Sequence, residues 1–424
     1  MQGKRAKFNS RFAAIMAMAG SAVGLGNIWR FPYMVGEHGG AAFIIIYIAC
    51  CLLVSLPVFY AEAIIGKSAR KDTFGALEQH APHSPIKHVG YIAILASFII
   101  LSFYSVVGGW SFDYLIRACT GSFSGKSIEE AREVFSAMNA SPVEAISCML
   151  VFLGLTAMIV GAGVDKGIGL FSKISIPVLF LMMVTIAIVS ARLPGAGKGV
   201  EYLIKPDFSK IDGPAVAAAL GQSFFSLSLG MGSILTYASY MKDEDSVVRT
   251  GNWTALFDTV FALIAGMAIM PAVFAAGIEP AAGPSLVFET LPVIFSRMGL
   301  VLPIVFFFAI LIAALSSSIS LLEVAVAWLV DQKKMARKYA VLTVFGAAAL
   351  LGALCAVVPK VFDTCDFVSS NVLMMIGALA FTVIVGWMIP RETVLRYVRF
   401  RIIWWLIRYA APVMIVAIAV TNLL

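Results

Sequence analysis

Charge is scarce in this sequence. Only 13% of its 424 residues are Asp, Glu, Lys or Arg, against 60% hydrophobic, and mean hydropathy is +0.93. A soluble globular domain carries far more charge than that, so the class is excluded. Histidine is scarcer still. His38, His80, His83 and His88 are all of it, and each falls in a loop or at the end of an apolar run. An intramembrane enzyme would want a histidine base at depth beside a serine nucleophile, and none stands there, so no enzyme is expected. Three of the four sit in "HAPHSPIKH", whose spacing is not a helical metal motif. The six cysteines (Cys50, Cys51, Cys119, Cys148, Cys355, Cys365) lie in or beside apolar runs without metal spacing, which leaves packing as their role. Neither an organic cofactor nor a nucleic-acid partner is expected.

What the chain has in plenty is apolar runs of membrane-crossing length, roughly 20 residues each. Eleven are read: 11–34, 41–66, 88–117, 144–160, 168–192, 215–240, 250–276, 302–330, 339–358, 367–389 and 400–422. The first is long and holds Asn27 and Arg30, unlike a removable signal peptide. With the N-terminus inside, twenty basic residues fall in inner segments and nine in outer ones. The positive-inside rule therefore predicts a cytoplasmic N-terminus, and the odd span count an extracytoplasmic C-terminus. A multi-pass protein of the cell inner (plasma) membrane, in contact with lipid, is expected.

Two outer loops are long. "GKSIEEAREVFSAMNASP" predicts a surface helix, with Ser127 and Glu130 as a capping box and an apolar stripe of Ile128, Val134, Phe135 and Met138. "GIEPAAGPSLVFETLPVIFSRMG", with Pro280, Pro284 and Pro292, predicts a broken helical hairpin dipping towards the membrane.

Two spans carry glycine where a membrane helix is weakest. "SAVGLGNIWRFPY" puts Gly24, Gly26 and Asn27 at mid-depth in span 1; "GQSFFSLSLGMGSILTYASY" puts Gly230 and Gly232 among Ser223, Ser226 and Ser228 in span 6. Backbone unwound in hydrocarbon is tolerable only where it lines a cavity or meets ligands. Freed carbonyls suit a small cation, and half-helix N-termini suit a carboxylate. Close helix packing is the plain alternative for any one of these glycines. Two broken helices opening two groups of five spans point instead to a transport site in an inverted repeat. The expected organisation is 1–192 as the first repeat (spans 1–5), 193–389 as the second (spans 6–10) and 390–424 as span 11.

Other polar groups sit at depth. Asp258 in "NWTALFDTVFALIAG" would cost a few kcal/mol unpaired, which marks it as functional unless span 7 begins later. Ser316, Ser317 and Ser318 end a phenylalanine-rich run in span 8, more hydroxyls than packing needs.

Together "AMAGSAVGLGNIWRFPY", "FFSLSLGMG", "TYASY" and "AALSSSIS" resemble the first, sixth and eighth helices of the neurotransmitter:sodium symporter family, in order and in spacing. The chain is similar to that family's bacterial amino-acid branch with eleven helices, where twelve are usual. The resemblance implies an all-α inverted five-plus-five fold with discontinuous helices 1 and 6. It implies sodium-coupled symport of an amino acid by alternating access, from a monomer or weak homodimer. Carried over residue by residue, a first sodium site would use the Ala22 carbonyl, Asn27, Ser226 and Asp258. A second would use the carbonyls of Gly20, Val23 and Ala313 with Ser316 and Ser317.

The implied substrate pocket comprises Ser21, Ala22, Gly24, Leu25, Gly26, Ile100, Tyr104, Phe225, Ser226, Ser228, Met231, Ser317 and Leu321. Monoamine carriers have an aspartate at position 24; Gly24 leaves room for a substrate carboxylate, to be met by the Leu25 and Gly26 N–H groups, Tyr104 and the first sodium. The apolar remainder, with flexible Met231, predicts a large aliphatic or aromatic L-amino acid. The resemblance also implies an outer gate of Arg30 and Asp366 above a Tyr104–Phe225 lid. Its inner counterpart would pair Arg5 with Asp331 near Ser239 and Tyr240. In span 5, Gly167 and Pro177 resemble the family's Gly-to-Pro motif, which lets the inner half of that helix unwind. Tyr47 and Gln222 stand where chloride-dependent relatives hold the anion; Asp258 supplies a fixed charge there, so chloride independence is expected. A passive channel would need a continuous polar stripe, which the mid-depth clustering does not give. A receptor-like sensor would bind without sodium-driven uptake.

Overall fold

The computed structural model describes residues 6–277 and 286–423. Every regular element among them is helical. Nine helices among the described residues are continuous, long and apolar: span 2 (Ala41–Ala69), span 3 (Pro85–Cys119), span 4 (Pro142–Gly161), span 5 (Val164–Ala191), span 7 (Val247–Ala275), span 8 (Val301–Gln332), span 9 (Arg337–Val357), span 10 (Pro359–Met388) and span 11 (Arg401–Thr421). Span 1 is the bent pair Arg11–Ala22 and Gly26–Glu37, turning by 50° at the break. Span 6 is Gly213–Ser226 followed by Ser233–Ala238, with six non-helical residues between. The chain is thus an all-helical integral membrane protein, with nine crossing helices among the described residues, or ten with the bent pair, and with helices 1 and 6 discontinuous as expected.

Spans 3 and 8 make the most extensive helix pair and form the centre of the bundle. Spans 4, 5, 9 and 11 lie outside, where Leu150, Met158, Leu181, Leu342, Leu350 and Val413 are exposed, as a lipid-facing surface requires. Span 5 is wound throughout, beginning with a π-helical stretch at Val164–Gly169, although it contains both Gly167 and Pro177. The surface helix Ile128–Ala140 has the expected capping box, in which Glu130 accepts the Ser127 N–H at 2.7 Å. Residues 278–285 of the proline-rich loop, including Pro280 and Pro284, lie outside the described residues. The remainder of that loop forms a buried apolar helix, Leu286–Ser296. It is locked to the surface helix by Phe135 stacked on Phe288 and an Arg132–Glu289 ion pair of 3.0 Å.

Candidate functional site

Span 1 loses its helix because Val23 turns to extended backbone (ψ 95°). The Leu25 N–H then leaves the ladder for the Tyr104 hydroxyl at 3.5 Å, and the Asn27 N–H bonds Gly24 O at 3.2 Å. That frees the carbonyls of Ser21 and Val23, which hydroxyls from elsewhere occupy. Ser228 donates to Ser21 O at 2.6 Å and Ser317 to the same oxygen at 3.4 Å. Ser316 donates to Val23 O at 3.1 Å and to Ala313 O at 2.8 Å. Of the residues expected at a second sodium site, Val23 O, Ala313 O and Ser316 therefore meet between spans 1 and 8, without fixed charge, while Ser317 bonds Ser21 O.

The break in span 6 is longer and stiffer. Ser228, Gly230 and Gly232 all take left-handed backbone (φ 55°, 83° and 78°). A Cβ at Gly230 would overlap the Met374 carbonyl of span 10, so glycine is needed for space as well as for conformation. Its N–H donates at 2.7 Å to Glu62, a fully buried carboxylate of span 2.

Between the breaks lies Asp258, fully buried eleven residues beyond the start of span 7. It is not interfacial. Its carboxylate accepts from Ser226 Oγ at 2.7 and 2.8 Å, from Asn27 Nδ2 at 2.8 Å and from the Tyr47 hydroxyl at 3.1 Å. All of these partners are neutral, so the pocket is short of positive charge. Asn27 Oδ1 in turn accepts the Gly24 N–H at 3.2 Å. Gln222 donates to Gly26 O at 3.3 Å, while its Oε1 and the Thr254 hydroxyl are buried without a partner among the described residues. Spare acceptor oxygens around an uncompensated carboxylate suit a small hard cation.

All thirteen residues expected to bind substrate line one small cavity, joined by Ser320. Its volume is about 30 Å³, room for about two waters. Above it opens a cavity of about 550 Å³, and Leu25, Gly26, Tyr104 and Phe225 line both. Tyr104 and Phe225 thus stand at the boundary. Arg30 and Asp366 face the larger cavity, and no ion pair within 4.0 Å joins them among the described residues. Arg30 instead lies 5.3 Å over the Phe225 ring.

On the side of the site away from the larger cavity the elements are tied together. Arg5 lies outside the described residues, and its expected pairing with Asp331 with it; Asp331 accepts the Asp72 N–H at 2.9 Å. Tyr240 donates at 2.6 Å to Glu323, a fully buried carboxylate of span 8 that also holds Arg337 from span 9. Phe8 sits edge-on against Tyr237 and Tyr240. Below them Lys7 and Arg70 both pair with Asp243, and these cations hold its carboxyl below the ordinary range. The vestibule is open on one side of the site, and the other side is bonded shut.

Sequence reasoning missed three groups. Glu62 was hidden inside an apolar run, and a lone carboxylate in "VFYAEAIIG" was the signal available. Ser320 follows Ser316 by four residues and so shares its helix face. Glu323 and Arg337 pair across fourteen residues between two spans.

A helical bundle whose two broken spans enclose a small oxygen-rich cavity is the architecture of a secondary transporter rather than of an enzyme. The chain belongs to the Sodium:neurotransmitter symporter family, whose profile matches residues 5–141 and 133–424. It is 35% identical to the uncharacterized sodium-dependent transporter YhdH of Bacillus subtilis, over 98% of this chain and 97% of that one. An uncharacterized sodium-dependent transporter of Haemophilus influenzae is 34% identical over 99% and 98%. Among solved structures it is similar to MhsT in complex with L-phenylalanine, with a TM-score of 0.91 and 37% identity, covering 99% of this chain and all of that one.

Proposed function

We propose that this protein imports a large aliphatic or aromatic L-amino acid with two sodium ions by alternating access, without chloride, across the cell inner membrane with its N-terminus inside. The observation that carries the reading is the single cavity between the helix breaks, where the expected pocket residues meet beside Asp258. The Gly24 position has no side chain, and the Leu25 N–H and Tyr104 hydroxyl are within 3.5 Å of each other, so donors for a substrate carboxylate adjoin the break. Leu25, Ile100, Phe225, Met231 and Leu321 make the rest of the wall apolar. MhsT, similar over its whole length, binds L-phenylalanine. At about 30 Å³ the cavity must widen for such a side chain, with Phe225 at its lid and Met231 in its wall the movable parts.

The two sodium sites differ in charge. The first, at Ala22, Asn27, Ser226 and Asp258, holds a carboxylate; the second, at Gly20, Val23, Ala313, Ser316 and Ser317, is neutral. Two sodium ions and a zwitterion bring net +2 into a low-dielectric site, and Asp258 offsets part of that repulsion. Ala262, one helical turn on, cannot. Uptake into proteoliposomes under an inward sodium gradient tests the reading. L-Phenylalanine or L-leucine should accumulate with gluconate in place of chloride, and not with potassium in place of sodium. Sodium-independent uptake, or none despite intact binding, would favour a facilitator or a sensor instead.

A further inference from the structure

Around span 11 lies a cluster of cations that the transport site does not use. Residues 389–410 hold five arginines (Arg391, Arg396, Arg399, Arg401 and Arg408) against one acid, Glu392. Three of the five are outside the membrane-crossing helices, in the connection between spans 10 and 11. Arg408 is not. It is seven residues into span 11, about 10 Å along the axis from the span's start.

Its surroundings are aromatic. The Arg408 guanidinium lies 5.0 Å over Trp404, 5.4 Å over Trp387 and 5.4 Å over Tyr409, and Arg391 lies 5.0 Å over the same Trp404 ring. Two guanidinium groups therefore share one indole, and neither forms an ion pair with a carboxylate among the described residues. Ring faces offset part of the charge but accept no conventional hydrogen bond. The cluster is left with donors and no acceptor. Arg408 Nε and Trp404 Nε1 are both buried without a hydrogen-bond partner among the described residues. The backbone at Gly386 comes so near Arg408 that a Cβ there would stand 3.0 Å from the Arg408 Cα, which fixes the span 10–span 11 crossing behind the cations.

Buried N–H donors that lack acceptors are costly, and a guanidinium at membrane depth more so. An anion with several acceptor oxygens, able to reach the end of span 11, would supply the missing acceptors. We propose that this cluster binds the phosphodiester headgroup of an anionic phospholipid, with Arg408 and Trp404 donating to phosphate oxygens and Arg391 closing over it from the surface. Charge complementarity selects an anionic lipid over a zwitterionic one, since residues 389–410 carry five cations and one carboxylate. On the orientation proposed above, the site faces the cytoplasmic leaflet. It shares no residue with the sodium and substrate sites, so its test stands apart from theirs.

The experiment is thermal unfolding of the detergent-solubilised full-length protein, titrated separately with phosphatidylglycerol, phosphatidylcholine and inorganic phosphate. Phosphatidylglycerol should raise the wild-type melting temperature saturably, with phosphatidylcholine and inorganic phosphate leaving it unmoved. Arg391→Gln, a surface change that leaves the core intact, should weaken the phosphatidylglycerol response about fivefold in half-saturating concentration. Trp404→Phe, which keeps the ring and removes the N–H, should weaken it too, and Arg408→Gln should abolish it. An equal response of wild type and Arg391→Gln overturns the proposal, as does an equal effect of the two lipids. A response to inorganic phosphate at the same concentration would overturn the lipid as occupant.

Discussion

Spans 1 and 6 both lose their helix at mid-depth, yet the two breaks are built from different materials. The break in span 1 contains no left-handed residue, and serine hydroxyls from spans 6 and 8 hold its freed carbonyls. Hydroxyls rotate, so an ion can take those oxygens by turning a donor away. The break in span 6 holds three left-handed residues, with the Gly230 N–H anchored on Glu62 and its Cα pressed against Met374. Its backbone is fixed there. On the proposed function, the first break is a replaceable ligand set, and the second is the frame that holds Ser226 and Ser228 against it.

That contrast predicts which substitutions unfold the protein and which only silence it. The largest effect belongs to the frame. Gly230→Ala adds a Cβ at φ 83° in contact with a carbonyl, with strain of about 3 kcal/mol before any overlap is counted. Size-exclusion chromatography of the solubilised variant should show aggregate in place of a monodisperse peak. A well-folded, sodium-responsive Gly230→Ala would erase the distinction between the breaks.

Gly24→Asp should act the other way. Its Cβ meets the Ser317 hydroxyl, which can rotate, so the protein should fold. Amino-acid binding should vanish, because the new carboxylate stands where the substrate's own would. Retained affinity would remove Gly24 from the pocket.

Asp258→Asn probes the charge between the breaks. The wild type should transport equally in chloride and gluconate, and the variant should gain a chloride requirement with Tyr47, Gln222 and Ser226 at hand. A variant indifferent to chloride would show that Asp258 does not stand in for the anion.

The smallest change is expected at a replaceable ligand. Ser317→Ala should raise the half-saturating sodium concentration about fivefold, the equivalent of one hydrogen bond of about 1 kcal/mol. Its melting temperature without sodium should stay near the wild-type value. An unmoved sodium dependence would assign Ser317 to packing.

The breaks were legible in the sequence because glycines beside Asn27, Ser226 and Ser228 recur in the spans that open both groups of five, and Asp258 because its burial is costly. What escaped was the frame. Glu62 looks like a flaw in an apolar run until its partner, 168 residues away, is known. Ser320 was overshadowed by three consecutive serines, though it bonds Ser21 at 2.8 Å. The closed network opposite the larger cavity depends on Glu323 meeting Arg337 from the next span, a pairing that no local pattern encodes. Gly167 and Pro177 led to the expectation that span 5 can unwind, and here it is wound, alongside the open larger cavity.

The central claim is that one sodium-dependent site between the breaks takes a hydrophobic amino acid. A thermal-shift screen of the twenty L-amino acids, run in sodium and again in potassium, tests it most directly. The account predicts that large aliphatic or aromatic amino acids raise the melting temperature in sodium and leave it unchanged in potassium. Stabilisation of equal size in both salts, or stabilisation by charged amino acids alone, would contradict it.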